Sequence, residues 1–273
     1  LTAANRAPVF ILVFLLLCAA FALLPFCWML LTAFRTQLDL NSGSLIPGSF
    51  TIENFVRVTE RVPVLHYLGN TVIVTVVILV AQVLTSIPAG YALARLHNKR
   101  AGRIVVWIVL AASMVPTQVV ALPLFLALSR MGLVNSLAGL IVPFLASAFG
   151  IYLFRQFFLQ FPEDLIEAAR LDGASEARIL LRIVVPLARP TIIAFAVFSV
   201  TAHWNDYFWP YFTLRGDSAA TIPFAVAQFA ANESGTDYPL QMAAAVLAVA
   251  PMVVVFLLLQ RHFQASVLTG SGR

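Results

Sequence analysis

The chain of 273 residues is 61% hydrophobic and only 11% charged, with a formal net charge of +5 and a mean hydropathy of +0.92. Soluble domains carry about 25% charged residues, so this composition excludes the ordinary soluble class and predicts an all-α, polytopic membrane protein. The positive charge calls for no nucleic-acid partner, because basic residues on the inner side of a membrane account for it.

Six apolar stretches approach or exceed the roughly 20 residues needed to cross a bilayer: 9–33, 70–94, 104–128, 137–158, 190–211 and 240–260. They predict a single transmembrane domain over 1–273. The first follows Arg6 and is longer than the roughly 7–15-residue core of a signal peptide, so it reads as a retained span. Its two cysteines, Cys18 and Cys27, fall on opposite helix faces and read as apolar filler. A polar, turn-rich outward loop over 36–69 has room for a short interfacial helix at 53–60. The next loop, ARLHNKRAGR at 94–103, is short and basic. The third stretch is interrupted by Pro116 and Pro123 with Gln118 between them, a pattern tolerated where neighbouring groups re-satisfy the freed backbone.

No acidic residue occurs between Glu60 and Glu163; then residues 163–190 read EDLIEAARLDGASEARILLRIVVPLARP. This mixed-charge interval predicts a helix–turn–helix facing water. Pro162 suits the first turn of a helix, and Glu163 and Asp164 favour its positive end. Gly173 suits the left-handed position that ends it. Ser175 caps a second helix, expected to break at Pro186. Ala168, Ala169 and Gly173 leave room for a partner's backbone, and Glu167 offers a carboxylate to an arginine across such an interface or to Arg170 one turn on. The fifth stretch then ends in HWNDYFWPYF at 203–212, the richest aromatic and polar cluster near a membrane boundary, before an outward loop over 213–239.

With the N-terminus inside, twelve of the seventeen basic residues fall on the inner side and five on the outer. The positive-inside rule therefore places both termini, and the 163–190 segment, in the cytoplasm. Chemistry is conspicuous by what the sequence omits. Lys99 is the only lysine and lies in HNKRAG, so there is no Walker A loop to hold ATP phosphates. His66, His97, His203 and His262 are scattered, and no HExxH, paired-cysteine or GxSxG pattern occurs. The chain reads as no enzyme, with neither metal nor cofactor of its own. A transporter built on it takes energy and high-affinity recognition from other molecules.

The segment Glu167-Ala168-Ala169, Asp172-Gly173-Ala174, Ile183 and Pro186 closely resembles the EAA loop of bacterial ABC importer permeases. The run from Asn70 through MVPTQVVALPLF at 114–125, GLVNSLAGLIVP at 132–143 and FRQFF at 154–158, with WND at 204–206, looks like the maltose-type carbohydrate permeases. The likeness is colinear over 65–273 and favours the six-span, MalG-like subunit. It implies the type I ABC importer permease fold, with cytoplasmic coupling helices in the loop 160–189. It also implies a half-channel in the bacterial inner membrane, surrounded by lipid. The partners implied are a second, MalF-like permease, two ABC ATPase subunits that bind ATP and Mg, and an extracytoplasmic solute-binding protein. The tail HFQASVLTGSGR at 262–273 resembles one that also reaches the ATPases. For the translocation path the candidates are Asn70, Gln118, Trp204, Asn205 and Asp206, polar or aromatic groups placed where a sugar can slide, although Trp and Tyr also form interface belts.

Two other readings compete. A glycerol-3-phosphate carrier belongs to the same branch, but its phosphate suggests basic residues in the path, and the six stretches hold only Arg155, at the inner end of the fourth. An ion-coupled secondary transporter normally needs acidic or histidine relays inside its spans, and the long acid-free interval opposes one.

Overall fold

The computed structural model describes residues 7–44, 48–96, 99–232 and 237–270. Every regular element among them is helical: α1 (Ala7–Ala33), α2 (Gln37–Asn41), α3 (Glu53–Arg61), α4 (Val64–Ala94), α5 (Lys99–Met114), α6 (Thr117–Arg130), α7 (Leu137–Ile141), α8 (Ala148–Leu159), α9 (Glu163–Leu171), α10 (Glu176–Ile179), α11 (Val185–Leu187), α12 (Arg189–Trp204), α13 (Phe208–Thr213), α14 (Ile222–Asn232) and α15 (Tyr238–Gly270). A 3-10 turn at Val142–Phe144 lies between α7 and α8, and a π turn at Leu180–Val184 joins α10 to α11.

Among the described residues, Val9–Ala33, Val64–Ala94 and Leu137–Leu159 are long and apolar enough to cross a membrane. The remaining stretches depart from straight spans. The third is two helices meeting at 93°, α5 and α6. The break falls at Val115-Pro116, where Pro116 is extended (φ −63°, ψ 137°) and lacks the N–H that would continue the ladder of α5; Pro123 is carried inside α6. The fifth ends at Trp204 instead of running to 211, and it is bent by 74° from the segment Glu176–Leu187. The last apolar helix passes well beyond 260, to Gly270. Within the tail 262–273, residues 271–273 and the side chains before them lie outside the described part.

The chain divides into two compact units. The first comprises Leu1–Leu65 and Ala225–Val253. Its core is Ala33, Val58, Leu240, Ala243 and Ala244, all nearly or fully buried. The expected interfacial helix is α3, which buries Asn54 and Val58. Asn54 donates its amide to the carbonyls of Ala33 (2.9 Å) and Arg35 (2.7 Å), closing the open end of α1. Arg35 is fully buried and ties together the loop that follows α1, donating to Asp39 Oδ2 at 2.7 Å and to the carbonyl of Ser44 at 2.7 Å.

The second unit comprises His66–Phe224 and Val254–Arg273. Here α4 acts as a polar ruler for the fourth stretch. The turn Val142–Phe144 interrupts the helical ladder at Pro143 and releases carbonyls, which cannot stay unpaired in a membrane interior. Side chains one turn apart on α4 take them up: Gln82 Nε2 donates to Phe144 O (3.0 Å), Thr85 Oγ1 to Leu145 O (3.1 Å) and Ser86 Oγ to Ser147 O (3.4 Å). Beyond the break, two glycines let helices touch. A Cβ on Gly90 would stand 2.9 Å from the Arg155 nitrogen, and one on Gly150 would meet Ser86 Oγ and the Phe195 ring at 2.8 Å.

Candidate functional site

The charged segment forms the expected helix–turn–helix, and the local chemistry explains each boundary. Pro162 precedes α9, Glu163 and Asp164 occupy its first turn, and Arg170 its last. Gly173 has φ +77°, and the turn is a Schellman motif: the Ala174 N–H donates to Ala169 O and the Gly173 N–H to Arg170 O, both at 3.0 Å. Ser175 caps α10 by accepting from the Arg178 N–H. One expectation is corrected. The second helix does not break at Pro186, because the π turn widens the backbone before it. The Val185 N–H donates five residues back to Leu180 O, and Pro186 enters at the start of α11, where its missing donor is harmless.

The segment has two faces. Ile166, Ile179, Val184 and Ala188 are buried, in one core with Ile87 and Tyr91 of α4, Phe154 and Phe158 of α8, and Phe195 of α12. Ala169 and Ala174 pack against this core, and Ile183 and Pro186 are half-buried. Glu167, Ala168, Asp172 and Gly173 are exposed, with Leu171 between them 89% exposed. Of the eight residues singled out in the sequence, four therefore present a surface and four support it.

Charges fix the turn. Arg170 Nε donates to Glu176 Oε1 at 2.7 Å rather than pairing with Glu167, and this bond holds the Glu176 carboxyl below its ordinary range while raising the Arg170 guanidinium further. Tyr91 Oη reaches Glu176 Oε2 at 3.4 Å, and its ring meets Phe158 edge-on at 5.7 Å. Arg95, just past α4, donates to Glu163 Oε1 at 3.2 Å and to Phe161 O at 3.4 Å. These links were not legible in the sequence, where Tyr91 looks like one more apolar residue of a span.

The candidate path residues do not form one cluster. Asn70 is buried, with its amide donating to Ser218 O (3.1 Å) and Ala220 O (2.9 Å), so it anchors the loop 214–221. Gln118 is exposed in the first turn of α6. Trp204 is buried at the end of α12; Asn205 is exposed and donates its amide to Thr201 O at 2.8 Å. Asp206 Oδ1 accepts the Trp209 N–H at 3.2 Å. The WND element thus stops one helix and starts the next, as Asx residues do at helix ends. Asp206 also lines a crevice with His203, Thr221 and Ile78 that has room for about one water molecule. Beside it, Gln82, Ser199 and His203 form a buried polar network that sequence reading missed: Ser199 Oγ donates to Gln82 Oε1 at 2.8 Å, and Gln82 Nε2 lies 3.2 Å from His203 Nε2. The signal available was QVLTS at 82–86, with polar groups three and four apart on one face of an apolar helix.

A helical membrane subunit with an exposed charged turn rooted in its spans is the architecture of an importer permease. A chain from a bacterial ABC transporter that imports the acidic polysaccharide alginate has the same fold, with a TM-score of 0.81 at 22% identity over 96% of this chain and 99% of that one. The family model for the binding-protein-dependent transport system inner membrane component matches residues 86–269, and the chain belongs to that family. It is similar to the arabinooligosaccharides transport system permease protein AraQ of Halalkalibacterium halodurans, at 32% identity over 92% of this chain and 91% of AraQ. It is also similar to the lactose transport system permease protein LacG of Rhizobium radiobacter, at 32% identity over 96% of each chain. The protein is accordingly a membrane transport subunit and not an enzyme.

Proposed function

We propose that the chain is one of two permeases of an ATP-driven importer for a sugar or oligosaccharide, forming half of the path and receiving its drive through residues 163–190. The observation that carries this reading is the two-faced turn: one side is in a common core with α4, α8 and α12, and the other offers Glu167, Ala168 and Leu171 to Gly173. A small, exposed, rigidly backed knob suits insertion into a groove of an ATPase subunit. ATP and Mg are then bound by two ATPases, and cargo is delivered by an extracytoplasmic solute-binding protein, with both termini of this chain in the cytoplasm. The sugar branch is supported by the relatives named above, which carry saccharides in their descriptions.

Along the path, Asn205 and Gln118 have exposed side chains and are proposed to meet the solute. Trp204 and Asp206 shape the turn that presents Asn205, and Asn70 fixes the outer loop. The test is to purify the complex with its binding protein, identify the ligand retained, and measure its ATP-dependent uptake into vesicles. A saccharide ligand and uptake lost in Glu167→Ala support the proposal. A phosphorylated glycerol ligand, or undiminished uptake in that variant, overturns the corresponding half of it.

A further inference from the structure

The first coupling helix is tied at both ends to one turn of α4. Tyr91 and Arg95 lie four residues apart, and the Arg95 N–H still donates to Tyr91 O at 3.1 Å, so the two side chains leave the same helical face. Arg95 takes the front of α9 through Glu163 and the carbonyl of Phe161. Tyr91 takes the rear through Glu176, which in turn holds Arg170 in the last turn of α9. Between these two points Ile166, 1% exposed, is sunk in the core that contains Ile87, Tyr91 and Phe158.

From this juxtaposition we infer that Tyr91, Arg95, Glu163, Arg170 and Glu176 are positioning residues, forming a two-point clamp that makes α9 and the inner end of α4 one rigid body, so that ATPase movement drives α4 directly. The inference rests on the docking reading above and adds to it a transmission route. Covalent continuity explains only how α9 follows α8 and how α10 leads into α12. Nothing in the chain's connectivity joins α9 to α4, where the link is made wholly by side chains. The Arg170–Glu176 pair is too exposed to contribute much stability, the two side chains being 43% and 59% exposed. The effect of both ion pairs is on register: each fixes one end of a helix whose middle is already anchored by Ile166, and a rod held at three points cannot pivot.

The test uses the complete complex with its ATPases, with Cys18 and Cys27 replaced and spin labels on Leu84→Cys in α4 and Asp164→Cys in α9, both exposed positions. The distance between labels is measured without nucleotide and with trapped ATP. The expected result is one narrow distribution in both states. Arg95→Gln combined with Glu176→Ala is expected to broaden it and to shift it on ATP binding. The charge exchange Arg170→Glu with Glu176→Arg, made with Arg95 intact, is expected to keep the narrow distribution, because an arginine at 176 still reaches the Tyr91 oxygen. Tyr91→Phe, which keeps the buried ring and removes only the hydroxyl, serves as the variant least disturbing to folding and is expected to broaden the ATP-bound distribution alone. A label distance that shifts with ATP in the unsubstituted complex, or one that stays narrow in both the double variant and Tyr91→Phe, overturns the clamp. Failure of the ATPases to associate with the unsubstituted permease overturns the docking reading instead.

Discussion

At the scale of single residues, close approach and polar satisfaction decide what this chain tolerates. Gly90 faces backbone atoms of α8 that cannot yield, whereas a Cβ at Gly69 meets nothing within 4 Å. Thermal unfolding in detergent is expected to show Gly90→Ala destabilised by about 1–3 kcal/mol through overpacking. Gly69→Ala, in the same helix, is expected to be neutral or stabilised by up to about 1 kcal/mol, because alanine is the better helix former. Gln82 concentrates the opposite kind of demand, since one amide serves the Phe144 carbonyl, the Ser199 hydroxyl and the His203 ring. Gln82→Leu keeps the volume and strands those partners, so a loss of about 1–3 kcal/mol is expected from the same melting experiment. Gln82→Glu retains the Ser199 acceptor but loses the donor to Phe144, and it is expected to recover only part of the loss.

At the scale of elements, the turn between α9 and α10 depends on ionisation. Glu176 has its carboxyl lowered from an ordinary 4.5 by the Arg170 hydrogen bond, so the bond's contribution is complete above that value and disappears as pH falls through the depressed one. A spin label at Leu171→Cys is therefore expected to gain mobility only below about pH 4.5, with Glu176→Gln mobile already at neutral pH. This turn is also where the sequence was most transparent: Pro162, Glu163, Gly173 and Ser175 each act on neighbours within a turn, and their chemistry alone sets the boundaries. The spans were less transparent, for the same physical reason reversed. The break at Pro143 is compatible with a membrane only because Gln82, some 60 residues earlier, supplies a donor. Nothing local to Pro143 announces that donor. The end of α12 at Trp204 was also concealed, because aromatic residues on both sides of Asn205 and Asp206 keep the hydropathy high while the Asx side chains stop and restart the helix. Tyr91, Arg95 and Glu176 illustrate the same limit, being brought together across 85 positions by folding alone.

At the scale of the whole molecule, the role proposed for the exposed turn is to convert a partner's motion into motion of the spans behind it. Gly173→Asp keeps a residue that tolerates the left-handed region but adds a charge to the exposed turn proposed to dock. Its expected phenotype is normal insertion and loss of ATP-dependent uptake, checked by membrane fractionation beside vesicle uptake; normal uptake would remove the turn from the drive train. The five residues of the π turn, Leu180–Val184, add a requirement of a different kind. Each helical residue turns the chain by about 100°, and a π turn absorbs one residue beyond the α-helical count. The widened turn therefore works as a phase adjuster between Ile179 in α10 and Ala188 just past α11, both of which are buried in the same cluster ahead of the bend into α12. Removing a single residue from this stretch would swing one of those two anchors out of the cluster and place Pro186 inside an ordinary α-helix, where its missing donor leaves a carbonyl unpaired. Length in this segment is thus constrained to the residue, even at positions where side-chain identity is free to vary.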